Sequence, residues 1–213
     1  NLLIIDEEHK FGVRQKEKIR SLKNGINVIS LSATPIPRTL NLSLSKVRDI
    51  SLITTPPTGR KSVKTIVSRY SKSLVFEAIQ REFSRDGQVF YLLNNVSMLE
   101  AKKKEISERF PDKTIAFAHG QLRPKELSEV MQSFIRKEID LLVCTTIIES
   151  GIDIENANTL IVEESENYGL SQLHQIRGRV GRSHREAYAY FLLNANKELK
   201  NKASERIEAL QEN

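Results

Sequence analysis

"DLLVCTTIIESGIDI", Asp140 to Ile154, is the stretch that decides how this chain folds. Leu141 to Cys144 are apolar at every position, not at every second one. A strand wetted on one face alternates apolar and polar residues; a strand covered on both faces does not. The run stops at two hydroxyls, Thr145 and Thr146, and Gly151 marks a turn shortly after. Short buried strands of this kind belong to parallel sheets, whose ligands gather at the carboxyl ends of the strands.

The same rhythm extends in both directions. Strands are expected at Leu2–Ile5, Asn27–Leu31, Leu52–Ile53, Lys64–Ser68, Gln88–Leu93, Thr114–Phe117, Asp140–Cys144, Thr159–Val162 and Ala187–Leu192. Helices are expected at Val13–Leu22, Arg38–Ser45, Leu74–Arg85, Val96–Arg109, Pro124–Ile135, Leu170–Arg177 and Lys197–Leu210. The fold class is therefore α/β: parallel sheets with helices on both faces. "TTPPTGRK" (Thr54–Lys61) breaks the rhythm with two prolines and a glycine and reads as a linker. After it, strands and helices alternate for about 130 residues, enough for a complete small domain. Before it there are too few elements to cover a sheet on both faces. Residues 1–61 are thus expected to be the back half of a domain.

Composition is that of an ordinary globular protein, with 39% hydrophobic and 28% charged residues. No apolar run approaches the roughly 18 residues of a membrane span. The single cysteine, Cys144, excludes a disulfide framework and a CxxC metal site, and its apolar strand suggests an inert core thiol. The net charge of +6 lies entirely in residues 1–61, which hold 11 Lys and Arg against 5 Asp and Glu. Such an excess suits a polyanion, and it also suits a solvated helix face in "RQKEKIRSLK".

Four short motifs carry candidate chemistry. In "IIDEEH", Asp6 closes an apolar strand, where a carboxylate can hold Mg²⁺ through water, and Glu7 beside it can activate an attacking water. An acidic strand end before a helix fits the same residues. A metal site using His9 lacks a second histidine at ligand spacing. "SATPIPR" follows another apolar strand and sets Ser32 and Thr34 near the same sheet edge as Asp6; it also reads as a turn with Pro37 in a first helical turn. In "VCTTIIESGIDI", hydroxyls and backbone amides at Thr145 and Thr146 suit a phosphate, and Asp153 suits a ribose or an arginine. "QLHQIRGRVGR" gathers Gln175, Arg177, Gly178, Arg179, Gly181 and Arg182 within eight residues. Arginines at i and i+3 on a helical turn would share a face and could neutralise a transferring phosphoryl group. A nucleic-acid phosphate patch would use the same residues.

Taken in order, "DEEH", "SATP", "TTIIESGID" and "QIRGRVGR" resemble motifs II, III, V and VI of superfamily 2 helicases and translocases. The resemblance implies RecA-like lobes with ATP in the cleft between them. Longer stretches, "LSATPIPRTLNLSLSKVRDISLITTPPTGRKSVKT", "FAHGQL" and "LLVCTTIIESGIDIENANTLIVEESENYGLSQLHQIRGRVGRSHREAYAYFLL", closely resemble the bacterial transcription-repair coupling factor family across essentially the whole chain. RecG-type branched-DNA helicases share part of this text.

The resemblance implies an ATP-dependent translocase on double-stranded DNA, cytoplasmic and without a membrane partner, that displaces stalled RNA polymerase and promotes nucleotide excision repair. Its cofactors would be ATP and Mg²⁺. RNA polymerase and excision-repair proteins would bind through modules outside this sequence. Asp6 and Glu7 would serve magnesium and water, and Ser32 and Thr34 would couple hydrolysis to motion. Arg179 and Arg182, with Gln175 nearby, would face the γ-phosphate, and Gly151 and Asp153 would contact nucleotide or neighbouring motifs. His119, Gly120, Thr145 and Thr146 would touch the DNA backbone. The implied domains are the C-terminal half of lobe 1 (1–61), lobe 2 (62–193) and the start of a helical hairpin (194–213). A P-loop needs glycine followed by lysine, and none of the nine glycines has that neighbour. The expectation is a piece of a motor that is inactive alone. A RecG-type helicase and a non-hydrolysing DNA or protein binding module are the rival readings.

Overall fold

The computed structural model describes residues 1–6, 11–22, 25–32, 51, 53, 55, 62–146, 154, 156–182 and 184–196. The chain divides into two compact units, Asn1–Thr55 and Pro56–Asn213.

In the first unit, β1 (Leu2–Asp6) and β2 (Asn27–Leu31) pair in parallel through α1 (Val13–Leu22). Ile5 is buried, whereas Leu2, Ile4, Ile29 and Leu31 are exposed. The helix expected at Arg38–Ser45 lies outside the described residues, as does Leu52 of the strand expected at Leu52–Ile53. Ile53 itself is exposed and in no strand, because two apolar residues offer too few ladder bonds to hold one.

The second unit is a six-stranded, wholly parallel sheet. Its strands are β3 (Val63–Arg69), β4 (Gln88–Leu92), β5 (Ile115–Ala118), β6 (Leu141–Cys144), β7 (Ala157–Val162) and β8 (Ala187–Leu193), in the order β3-β8-β7-β4-β6-β5. The continuous apolar runs are buried as their composition requires: every residue of β4, β6 and β7 is inaccessible. Alternate residues feed two cores. One holds Phe90, Leu142, Leu160 and Phe191 against α4 (Pro124–Ile135) and α5 (Leu170–Arg177). The other holds Tyr91, Val143, Ile161 and Tyr190 against α2 (Lys72–Phe83) and α3 (Val96–Arg109). Each large apolar side chain so buried contributes about 1.5–3 kcal/mol.

Local chemistry sets the helix bounds. The Asn95 side chain accepts from the Ser97 amide and starts α3, and Pro124 occupies the first turn of α4. Helix α2 ends at Phe83, two residues before the expected Arg85, because Asp86 turns left-handed (φ 55°). The following Gly87 packs against the fully buried carboxylate of Glu82, which accepts from Arg85 Nε at 3.0 Å and from the Thr159 hydroxyl. A Cβ at Gly87 would stand 1.6 Å from Glu82 Oε1, so any larger residue would force the Glu82 carboxylate to move. Cys144 is buried, and burial pushes its thiol pKa upward, as an inert core thiol requires. The helix expected at Lys197–Leu210 lies outside the described residues.

Candidate functional site

In a parallel sheet every strand leaves at the same edge. At the carboxyl edge of the second unit, β5 runs into His119 and Gly120, and the adjacent β6 runs into Thr145 and Thr146. The Thr145 amide donates to the Ala118 carbonyl at 3.3 Å, which holds the two strand ends together. His119 stacks on Phe117 with ring centroids 6.2 Å apart, and Lys103 lies over the Phe117 ring. The His119 Nδ1 atom is buried without a hydrogen-bond partner. Gly120 and the neighbouring Arg123 and Lys125 are exposed, and Thr145 and Thr146 are half-buried. These four candidates therefore form one surface. It offers hydroxyls, a backbone turn and cations, the groups that position a phosphate backbone.

The arginine motif is built differently. Helix α5 runs back across the sheet from the carboxyl edge and ends at Arg177, with Gly178 as its cap. Arg179 and Arg182 thus stand on the turn beyond the helix, not at i and i+3 on a helical face as the spacing suggested. That turn lies at the amino edge. Gly181 is left-handed (φ 73°), and a Cβ there would meet Val63 Cγ2 and Ala187 Cβ at 2.9 Å, side chains of the first residues of β3 and β8. The crossover to β8 must return the chain to the start of a strand, so these arginines cannot lie at the carboxyl edge where parallel-sheet ligands were expected. Gln175 and Arg179 are half-buried and Arg182 is exposed. Arg177 folds back onto the protein, donating to Thr65 Oγ1 at 3.3 Å and contacting His174 Nδ1 at 3.2 Å. Burial first, and then the Arg177 charge, lower the pKa of His174.

In the first unit, Asp6 ends β1 and is exposed; its register partner is Leu31, so Ser32, also exposed, follows at the same edge. Glu7, Thr34, Gly151 and Asp153 lie outside the described residues.

One cluster escaped the motif reading. Lys102 of α3 lies 2.9 Å from Glu163 Oε1 and 3.0 Å from Glu105 Oε2, and donates to the Tyr70 hydroxyl at 3.2 Å. The Tyr91 hydroxyl donates to Glu163, and Lys72 reaches Glu105 at 2.7 Å. Burial opposes the Lys102 charge, but Glu163, Tyr70 and Glu105 outweigh it and raise its pKa. Burial and then the Glu163 charge push the Tyr91 hydroxyl well up. The network continues: the Asn194 amide donates to Glu166 at 3.3 Å, and its side chain donates to Glu164 at 3.1 Å. The ends of β3, β4, β7 and β8 are thereby tied at the carboxyl edge. Lys102 had a sequence signal, since it falls three residues after Leu99 and four before Ile106 on the buried stripe of α3.

This fold, with hydroxyl-bearing turns at one edge and an arginine turn at the other, defines a RecA-like helicase lobe. Residues 72–184 match the helicase conserved C-terminal domain, and the chain belongs to that family. Two curated relatives are the transcription-repair-coupling factors of Staphylococcus epidermidis and Staphylococcus aureus (strain USA300), each 54% identical over 99% of this chain. The chain spans 18% of those relatives' length. Among solved structures, RecG bound to a three-way DNA junction matches with a TM-score of 0.78 at 33% identity, covering 100% of this chain and 28% of that one. S. cerevisiae Dbp5 bound to RNA and ADP BeF3 shares the fold, with a TM-score of 0.70 at 13% identity over 100% of this chain and 56% of its own. Among the described residues, no helix is long and apolar enough to cross a membrane.

Proposed function

We propose that this chain is the part, from motif II onward, of an ATP-dependent translocase on double-stranded DNA of the coupling-factor kind. The whole protein would act in the cytoplasm, displacing stalled RNA polymerase and promoting nucleotide excision repair. The observation that carries this reading is the 54% identity over 99% of the chain to transcription-repair-coupling factors. In the proposed domain plan, residues 1–61 are the later half of lobe 1, 62–193 are lobe 2 and 194–213 begin a helical hairpin. The exposed Leu2, Ile4, Ile29 and Leu31 suit strands that pack within a larger sheet.

The proposed roles are consistent with where the described residues among them stand. Arg179 and Arg182, with Gln175, would face the nucleotide phosphates from the amino edge of lobe 2; Gly151 and Asp153, outside the described residues, would contact nucleotide or neighbouring motifs. His119, Gly120, Thr145 and Thr146 would hold the DNA backbone at the carboxyl edge. With the two tasks on opposite edges of one sheet, a movement driven at one edge displaces the other as a rigid body. Asp6 would hold Mg²⁺ mostly through water, since an exposed carboxylate at a strand end is the hard oxygen ligand that ion takes. Bound Mg²⁺ would offset charge on the ATP phosphates. Glu7 would take the proton of the attacking water, and Ser32 and Thr34 would sense the site.

The test is Arg179→Ala in the full-length protein. ATP binding should persist within a few-fold, while DNA-stimulated turnover falls by about a thousandfold, because such an arginine acts mainly on the transition state. Wild-type turnover in that variant would overturn the assignment of Arg179, whereas a wild-type protein without DNA-stimulated turnover would favour a non-hydrolysing module. The likeness to RecG favours a second reading, a branched-DNA helicase. Displacement of a stalled polymerase, without unwinding of a three-way junction, decides for the first.

A further inference from the structure

We infer that Thr65 and Arg177 form a strut that sets the arginine turn, so that Arg177 is a positioning residue and not a third phosphate ligand. The inference rests on the reading of Arg179 and Arg182 as nucleotide-facing. Five residues pin the turn. Arg177 Nη1 donates to Thr65 Oγ1 at 3.3 Å, and Nη2 meets His174 Nδ1 at 3.2 Å, so the planar guanidinium bridges β3 and α5. Thr65 completes the relay by donating to the Val63 carbonyl at 3.5 Å. Val180 is fully buried in the core beneath α5. Gly181 is wedged where even a methyl group would collide with Val63 and Ala187.

Two of these contacts land on β3, and among the described residues β3 is an edge strand with β8 as its one neighbour in the sheet. An edge strand is held on one side, so its amino end is freer to shift than a central strand. It is also the first strand of the unit, entered directly from residues 56–62. The arginine turn is therefore fixed to the point where the chain enters this unit. The backbone ladder of the turn, Arg179 to the Ile176 carbonyl at 3.0 Å and Val180 to the Arg177 carbonyl at 3.3 Å, carries that position to Arg179. An arginine suits the strut because its rigid fork spans two acceptors at once; a lysine reaches one. Burial lowers the pKa of Arg177, consistent with a guanidinium turned toward the protein.

The experiment uses the full-length protein with Thr65→Val, which swaps the hydroxyl for a methyl at constant shape, and Thr65→Ser, which keeps it. Hydrogen exchange at Gly178–Gly181 should accelerate about fivefold in Thr65→Val and return to the wild-type rate in Thr65→Ser. DNA-stimulated ATP turnover should fall about tenfold in kcat, with KM for ATP unchanged within about twofold, since the turn serves the transition state and not ground-state binding. Arg177→Lys should behave as Thr65→Val does. Wild-type exchange in Thr65→Val, or equal loss in Thr65→Ser, overturns the strut. A loosened turn with unchanged kcat overturns its positioning role. A wild-type protein with no DNA-stimulated turnover would sink the proposed function alone, while the exchange data still decide the strut.

Discussion

Lys102→Met keeps the length of the side chain, removes its charge, and strands a carboxylate. The Lys102 and Glu163 side chains are each only 10% exposed, 2.9 Å apart. Lys102 also lies over the rings of Tyr70 and Tyr91, at 5.2 and 5.5 Å. Without Lys102, Glu105 keeps Lys72, but Glu163 is left with the Tyr91 hydroxyl against a buried negative charge. Removing one partner of a buried pair costs about 3–5 kcal/mol, whereas an exposed pair is worth about 0–1 kcal/mol. With a urea slope of about 2–3 kcal/mol/M, the midpoint should fall by roughly 1–2.5 M. Intrinsic fluorescence isolates the relevant unit, because the chain has no tryptophan and all five tyrosines (70, 91, 168, 188 and 190) lie in the second unit. Adding Glu163→Gln to Lys102→Met should recover about half the loss or more, since it removes the stranded charge. The pH dependence has a definite sign. The folded pKa of Lys102 is raised, so its stabilisation is complete below the unfolded value of 10.5 and is lost only as pH rises through the folded one. The gap between wild type and variant should accordingly be flat from about pH 6 to 9. A midpoint within about 0.3 M of wild type, or no recovery on adding Glu163→Gln, would refute the reasoning.

Three further expectations are simpler to test. The 213-residue chain alone should not hydrolyse ATP, because it has no glycine followed by lysine to cradle the phosphates; DNA-stimulated turnover that vanishes on Glu7→Gln would disprove this. Its binding to DNA should be weak and should drop steeply between about 50 and 200 mM salt, as phosphate contacts require; a salt-independent affinity counts against the carboxyl-edge surface. His174 should titrate below 6.5, and Arg177→Met should move it part of the way back, burial being the larger cause; an unmoved NMR titration would remove Arg177 from the explanation. Because that pKa is depressed in the fold, the unfolded chain binds the proton first, and stability should decline as pH falls through 6.5.

What could be read in the sequence was whatever the chain repeats locally. Val13–Leu22, Val96–Arg109, Pro124–Ile135 and Leu170–Arg177 are helices at the bounds expected from the sequence. The unbroken apolar runs of β4, β6 and β7 announced a sheet buried on both faces. What could not be read was position in space. Lys102 is one of three consecutive lysines, and helical spacing singles it out only as a candidate for burial. Its partner Glu163 lies 61 residues later on another element, and no local pattern joins them. The arginine motif shows the same limit more sharply. Its spacing fits a helical face, but Gly178 caps α5 and Gly181 adopts a conformation that side chains resist, so both arginines fall on a turn. The rule that parallel sheets bind ligands at carboxyl ends does not reach that turn, because the rule follows each strand forward and this turn precedes one. A crossover helix must carry the chain back before the next parallel strand can begin. The residues just ahead of β8 are thus committed to the amino edge by topology, whatever chemistry they carry. The hydroxyl-bearing turns and the arginine turn of this lobe consequently stand at opposite edges of one sheet, and under the proposed function that arrangement would join hydrolysis on one side to movement on the other.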